Sequence, residues 1–82
     1  MNGQAALRAL AEPRRQEVLR LVRDEPRSVG EIAAHFDITQ QAVSQHLQVL
    51  KEAGLVSVSK RGRQRLYVVR PDGLTALHEF IS

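Results

Sequence analysis

Apolar residues recur at helical spacing along most of the chain, then switch for a short stretch to alternation. In "GQAALRALA", residues 3 to 11, Ala6, Leu7 and Leu10 lie three and four apart, which predicts a first helix. Pro13 punctuates the chain. Proline is tolerated in the first turn of a helix, where its missing N–H has no bond to lose. A second helix is expected over about 13–24, with Val18, Leu19 and Val22 on one face and Leu21 to the side, broken at Pro26. Ser28 and Glu31 have capping-box spacing: the serine accepts from a free N–H of the new helix and the glutamate reaches back. They open a third helix over about 28–36, with Ile32, Ala33 and Phe36 inward. After the link "DIT", Thr39 is placed to cap a fourth helix over about 40–53, and Gly54 stands where a helix end wants a left-handed residue.

"LVSVSK" alternates apolar and polar, as a strand does, and "RLYVV" reads as a second strand. "KRGRQ" lies between them, with Gly62 able to take the positive φ of a turn. "PDGLTALHEFI" predicts a last helix carrying Leu74, Leu77 and Ile81 at helical spacing, with Phe80 on the flank. The expected fold is mainly α with a small β-hairpin, in the order α-α-α-α-β-β-α. There is no internal repeat, and 82 residues suit one domain over 1–82. A domain this small buries a modest core, so oligomerisation is an expected source of stability.

The fourth helix carries the main functional signal. At about 100° per residue, Val43, Leu47 and Leu50 share one face. Gln41, Gln45 and Gln48 share the opposite face, with Ser44 beside them. That outer face is polar yet uncharged near its N-terminal half, whereas an ordinary surface helix carries more charge. A glutamine amide donates and accepts together, which suits the N6/N7 edge of adenine in the major groove, and serine serves several base edges or a phosphate. Glutamine is also a good helix former needing no ligand; three on one face, beside a basic hairpin, favour base reading. His46 falls at the edge of the buried face, so packing and phosphate contact both stay open for it.

Charge is divided unevenly. Residues 1–55 carry seven basic and seven acidic side chains, whereas residues 56–70 carry Lys60, Arg61, Arg63, Arg65 and Arg70 with no acid. Residues 71–82 add Asp72 and Glu79, leaving a net charge of +3. A basic excess confined to one segment points to a polyanion partner. Phosphate contacts position a protein and base contacts specify; here the hairpin and the fourth helix divide those tasks.

Other classes find little support. There is no cysteine, which excludes disulfides, thiolate metal sites and thiol redox sensing. No apolar run approaches the ~20 residues needed to span a bilayer. "MNGQAALRALAEPRRQ" lacks a signal-peptide core, so a cytoplasmic location without membrane attachment is expected. No Ser/His/Asp spacing, glycine-rich phosphate loop or carboxylate pair suggests an enzyme, and no cofactor is expected.

Two segments carry a family resemblance. In "ALAEPRRQEVLRLV", Leu10, Ala11, Glu12, Pro13, Arg15, Val18 and Leu19 resemble the second-helix opening of ArsR-type winged helix-turn-helix regulators, with Arg14 where threonine is common. In "ITQQAVSQHLQVLKEAGLVSVSKRGRQRLYVV", the run Gln40, Ala42, Val43, Ser44, His46, Leu47, Leu50, Ala53, Gly54, Leu55 and Val56 resembles the same family's helix-turn-helix and wing. The resemblance implies a homodimer formed through the first and last helices, here the region of Leu7, Leu10, Leu74, Leu77 and Ile81. It also implies a fourth helix in the major groove, a wing along the backbone or minor groove, and an inverted-repeat operator.

The expected DNA-binding residues are Thr39, Gln40, Gln41, Ser44, Gln45, His46, Gln48, Lys60, Arg61, Arg63 and Arg65. The expected function is a dimeric, sequence-specific repressor of transcription, with autorepression, or control by its own level or a partner protein, as the leading expectation for its regulation. Metal-sensing relatives carry Cys-Val-Cys where this chain has Ser28, Val29 and Gly30. Others use an Asp-x-His element that Asp72-Gly73-Leu74 does not reproduce. His78 and Glu79 are adjacent and diverge by about 100° on a helix, a poor pair for one ion. His35 has no second ligand nearby in sequence. No metal site and no small-molecule effector is therefore legible. The competing readings are a winged-helix protein-interaction module and a metal-responsive repressor with an unrecognised site; a +5 segment without acids speaks against the former.

Overall fold

The computed structural model describes residues 3–82; Met1 and Asn2, at the start of the expected 1–82 domain, lie outside the described residues. Seven elements follow one another: α1 Gly3–Ala9, α2 Pro13–Asp24, α3 Val29–Ala33, α4 Gln40–Glu52, β1 Val56–Arg61, β2 Gln64–Val69 and α5 Pro71–Ile81. This is the α-α-α-α-β-β-α order of a winged helix-turn-helix.

The core forms where the apolar stripes of α2, α3 and α4 meet. Val18, Leu19 and Val22 come from α2, Ile32 from α3, and Val43, Leu47 and Leu50 from α4, joined by Leu55 and Val56 at the start of the hairpin. Helix α1 contributes Ala6 and Ala9 and packs along α5. Small residues on its inner side permit close approach: a Cβ on Gly3 would stand 2.5 Å from the Cβ of Phe80. Turning the alanines inward turns Leu7 outward, and Leu7, Phe80 and Ile81 remain 46%, 52% and 60% exposed. Leu10, Leu74 and Leu77 are half-buried against the chain's own core.

Local chemistry sets the helix ends. Glu12, a cap that the sequence reading did not identify, accepts from the Arg15 N–H at 3.1 Å and starts α2. The Ser28–Glu31 capping box forms in both directions, at 3.2 and 2.9 Å. Thr39 Oγ1 accepts from the Ala42 N–H at 3.1 Å and starts α4. At the other end of α4, the Leu55 N–H bonds the Leu50 carbonyl and the Gly54 N–H bonds that of Lys51, with Gly54 at φ 79°. This is a Schellman closure, and it needs the left-handed residue that glycine supplies. Replacing Thr39 by alanine is expected to cost about 1 kcal/mol and to lower the melting midpoint by roughly 4–8 °C. Thermal unfolding followed by circular dichroism checks this, and an unchanged midpoint would rule out the cap's contribution.

Three boundaries differ from expectation. Helix α1 stops at Ala9 because Arg15 Nε and Gln16 Nε2 take the carbonyls of Ala9 and Leu10, at 2.6 and 2.7 Å, and bend the chain into α2. Helix α3 ends at Ala33 because the chain tightens into i→i+3 turns, His35 N–H to Ile32 and Phe36 N–H to Ala33. Phe36 still packs against the core, with the Arg14 guanidinium 5.7 Å above its ring. The strands run further into "KRGRQ" than expected, leaving Gly62 and Arg63 as a two-residue turn between the Arg61–Gln64 pair. Gly62 has φ 61° and Arg63 has no positive φ, the signature of a II′ hairpin turn.

The hairpin is anchored at its base. Arg27 and Tyr67 exchange both backbone hydrogen bonds, at 3.1 and 2.7 Å, so the α2–α3 link adds a single-residue third strand. Arg27 Nε also donates to the Leu21 carbonyl at 2.8 Å, and the Arg70 N–H bonds Leu55 at 2.8 Å. The base is thus held along the outer edge of β2 by Arg27 and closed between the strands by the Arg70–Leu55 bond, while the tip is exposed.

Candidate nucleic-acid interface

The sequence places the apolar positions of α4 three and four apart, and the helix presses that stripe into the core. Val43, Leu47 and Leu50 are 0% exposed. The opposite side is left outside: Gln41, Ser44, Gln45 and Gln48 are all exposed, as are Thr39 and Gln40 at the helix start. At 1.5 Å per residue, Gln41 to Gln48 spans about 10 Å of axis, comparable with three base-pair steps. The face therefore offers amides and a hydroxyl, groups that read base edges, along a length that suits a groove. Thr39 spends an acceptor lone pair on its cap and keeps its hydroxyl proton to donate. Gln40 leans back over α3, its Nε2 lying 3.6 Å from the position a Gly30 Cβ would take.

The wing supplies charge. Lys60, Arg61, Arg63 and Arg65 are exposed, and among the described residues none has an acidic side chain within ion-pair distance. Lys60 stands directly opposite Arg65 across the ladder. Like charges in that position destabilise a hairpin by up to about 1 kcal/mol, a cost that a polyanion removes. Strand alternation puts Lys60 and Arg65 on one face and Arg61 on the other, with Arg63 at the turn, so the tip is basic all round. Arg70, the fifth cation of the basic segment, is diverted: its Nη2 donates to Asp72 at 2.9 Å. Partial burial pushes the Asp72 carboxyl up, but the hydrogen bond and charge of Arg70 outweigh it and hold it below its ordinary value.

His46 is oriented differently from its neighbours. Its side chain is 21% exposed, and Nδ1 lies 4.0 Å from Oε2 of Glu12. Partial burial raises the Glu12 carboxyl, while the backbone N–H groups of Arg14 and Arg15 and the nearby His46 and Arg15 lower it further. The net position is below the ordinary carboxylate value. Sequence reasoning could not have found this contact, since Glu12 and His46 are far apart in the chain.

The positions that hold metal in some relatives are otherwise occupied. Ser28 is committed to its capping box, where the Glu31 carboxyl is lowered chiefly by the Ser28 N–H. Asp72 is paired with Arg70. Serine, valine and glycine do not make a soft-metal donor set, and among the described residues no cluster of three His, Cys, Asp or Glu side chains could hold an ion. No described helix is long and apolar enough to cross a membrane.

Comparison with known proteins agrees with this geometry. Residues 12–58, more than half of the chain, match the family described as bacterial regulatory protein, arsR family. The chain is 42% identical over 72 residues to the HTH-type transcriptional regulator Rv2034 of Mycobacterium tuberculosis, covering 88% of this chain and 67% of that protein. It is 30% identical over 79 residues to the transcriptional repressor SdpR of Bacillus subtilis, covering 92% and 88%. The fold superposes, with TM-score 0.81 and 28% identity, on the homodimeric winged helix-turn-helix DNA-binding domain Mb0332 of Mycobacterium bovis, covering 95% of this chain and 72% of that one. The chain with the neutral α4 face and the basic wing belongs to the ArsR family: it is a DNA-binding, winged helix-turn-helix regulator of transcription and not an enzyme.

Proposed function

We propose that the protein is a dimeric repressor that reads an inverted-repeat operator with α4 and grips the phosphate backbone with the wing. One observation carries this reading: a helix face of uncharged amides and a hydroxyl stands on the same domain as a hairpin tip with four unpaired cations. Gln41, Ser44, Gln45 and Gln48 carry sequence preference, and Lys60, Arg61, Arg63 and Arg65 carry affinity. Thr39 and Gln40 lie at the groove edge. The exposed Leu7, Phe80 and Ile81 on the α1–α5 pair supply the dimer contact, with Leu10, Leu74 and Leu77 behind them. Two-fold symmetry then sets half-sites about one helical turn or a multiple apart. Repression is steric: a dimer over a promoter blocks polymerase. The repressor name of SdpR, and the homodimer described for Mb0332, support the extension.

Fluorescence anisotropy of the protein on the DNA upstream of its own gene, with random duplex as competitor, tests the reading. Preference for that DNA, weakening with salt, is expected if the protein regulates itself. Gln45→Ala is expected to narrow the preference at one base pair by about 1–3 kcal/mol while leaving binding to random duplex unchanged. Equal, weak binding to both duplexes would instead favour a protein partner for the winged helix or an operator elsewhere.

A further inference from the structure

The α1–α2 elbow is tied to the recognition helix by one carboxylate. Glu12 accepts from the Arg15 N–H at 3.1 Å, which caps α2, and its Oε2 also lies 4.0 Å from Nδ1 of His46 on α4. The same elbow holds the end of α1, because Arg15 Nε and Gln16 Nε2 bond the Ala9 and Leu10 carbonyls. His46 sits between Gln45 and Leu47, so its ring lies at the border between the reading face and the core stripe. A contact at that border bears on the rotation of α4 about its own axis, which Val43, Leu47 and Leu50 hold from the core side. We propose that Glu12 and His46 form a positioning pair that couples the elbow carrying α1 to the orientation of the base-reading face of α4. This rests on the reading of α4 as the recognition helix.

The pair has a protonation signature. An imidazole is the side chain whose charge changes in the physiological range. Protonated, it faces a carboxylate and forms an ion pair; neutral, it retains a weaker polar contact. Glu12, in the link between α1 and α2, faces His46 with Arg15 beside it, and Arg8 and Arg15 line a groove with Val49 and Glu52 further along α4. Among these, Glu12 alone makes an ion-pair contact with His46 in the described residues. A charged imidazole therefore holds α4 more tightly than a neutral one, and operator affinity follows the charge of the pair.

Glu12→Gln isolates the effect, because the glutamine oxygen still caps α2 while the charge is gone. His46→Phe keeps the ring and removes its nitrogens. The probe is a duplex enriched from a random-sequence library by the wild-type protein, and binding is followed from about pH 8 to about pH 6. Each single variant is expected to lose about three- to tenfold in affinity for the selected duplex at the lower pH, and the double variant no more than either single. Wild-type affinity climbs on acidification and both variants stay flat, although His35 and His78 are still present. The salt slope is unchanged, since no phosphate contact is lost. Gln45→Ala, run alongside, separates the two layers. If it relaxes the preference while Glu12→Gln leaves affinity and pH profile as in wild type, the positioning pair is refuted and the recognition helix stands. If Gln45→Ala changes nothing, the reading of α4 falls, and the proposal with it.

Discussion

Replacing Lys60, Arg61, Arg63 and Arg65 together by alanine is expected to remove tight binding to every duplex, whatever its sequence. Each phosphate neutralised by a cation releases counterions and adds about 0.9 to the slope of log affinity against log salt. Two wings of a dimer making all of these contacts would lose about 10⁴-fold in affinity between roughly 50 and 200 mM salt, and the variant loses that dependence along with the affinity. The fold should survive. All four side chains are exposed, none is paired with an acid, and the Lys60–Arg65 repulsion across the ladder disappears with them. Anisotropy titrations at several salt concentrations, with a urea melt of the same variant, measure both quantities. A slope equal to that of wild type would mean that the wing does not touch the backbone. Gln45→Ala has the opposite profile, a preserved slope with altered preference, so the two variants together separate positioning from reading.

Periodic features were legible in the sequence, and single long-range pairings were not. The α4 stripe could be read because Val43, Leu47 and Leu50 repeat at helical spacing, and the exposed glutamines followed from the same wheel. The Thr39 cap, the Ser28–Glu31 box and the two positive-φ glycines were legible because each depends on neighbours in sequence. The Arg27–Tyr67 bridge left no trace, since one residue pair has no period. Nor could the direction of Arg70 be read: composition counts it with the wing, but Asp72 engages it at the start of α5. On α1, the apolar spacing was visible but its sense was not. The small Ala6 and Ala9, not Leu7, take the inner side, because close packing in this chain is bought with alanine and glycine. The same pattern narrows the surface proposed for the dimer: Leu10, Leu74 and Leu77 are half-buried within one chain, and the exposed apolar side chains there are Leu7, Phe80 and Ile81.

Gly73→Ala decides how α5, the helix bearing much of that surface, is held. Two effects oppose each other. Alanine is a better helix former than glycine by about 1 kcal/mol, which alone would stabilise the variant. Against it, a Cβ at Gly73 would stand 2.9 Å from the Gly54 carbonyl carbon and 3.3 Å from the Leu55 Cα, and closer still to the Gly54 oxygen. These are backbone atoms of the Schellman closure, fixed by the Leu55–Leu50 and Gly54–Lys51 bonds, and they cannot swing aside as a side chain can. Overpacking against such atoms costs about 3 kcal/mol or more, so the clash outweighs the propensity gain. A net loss of about 2 kcal/mol is a large share of the stability available to a domain of this size, and it lowers the midpoint by roughly 10 °C. Gly62→Ala is the matched contrast: nothing lies within 4 Å, and only the left-handed φ of 61° is penalised, by about 1–2 kcal/mol. Relief of the Gly73 clash also has a direction, since the movable partner is α5, and its displacement would shift Phe80 and Ile81 relative to Leu7. Gly73→Ala is therefore expected to weaken self-association as well as folding, while Gly62→Ala weakens folding alone. Sedimentation of both variants beside their melts distinguishes the two, and a Gly73→Ala chain as stable and as associated as wild type would show that α5 is not pinned at this point.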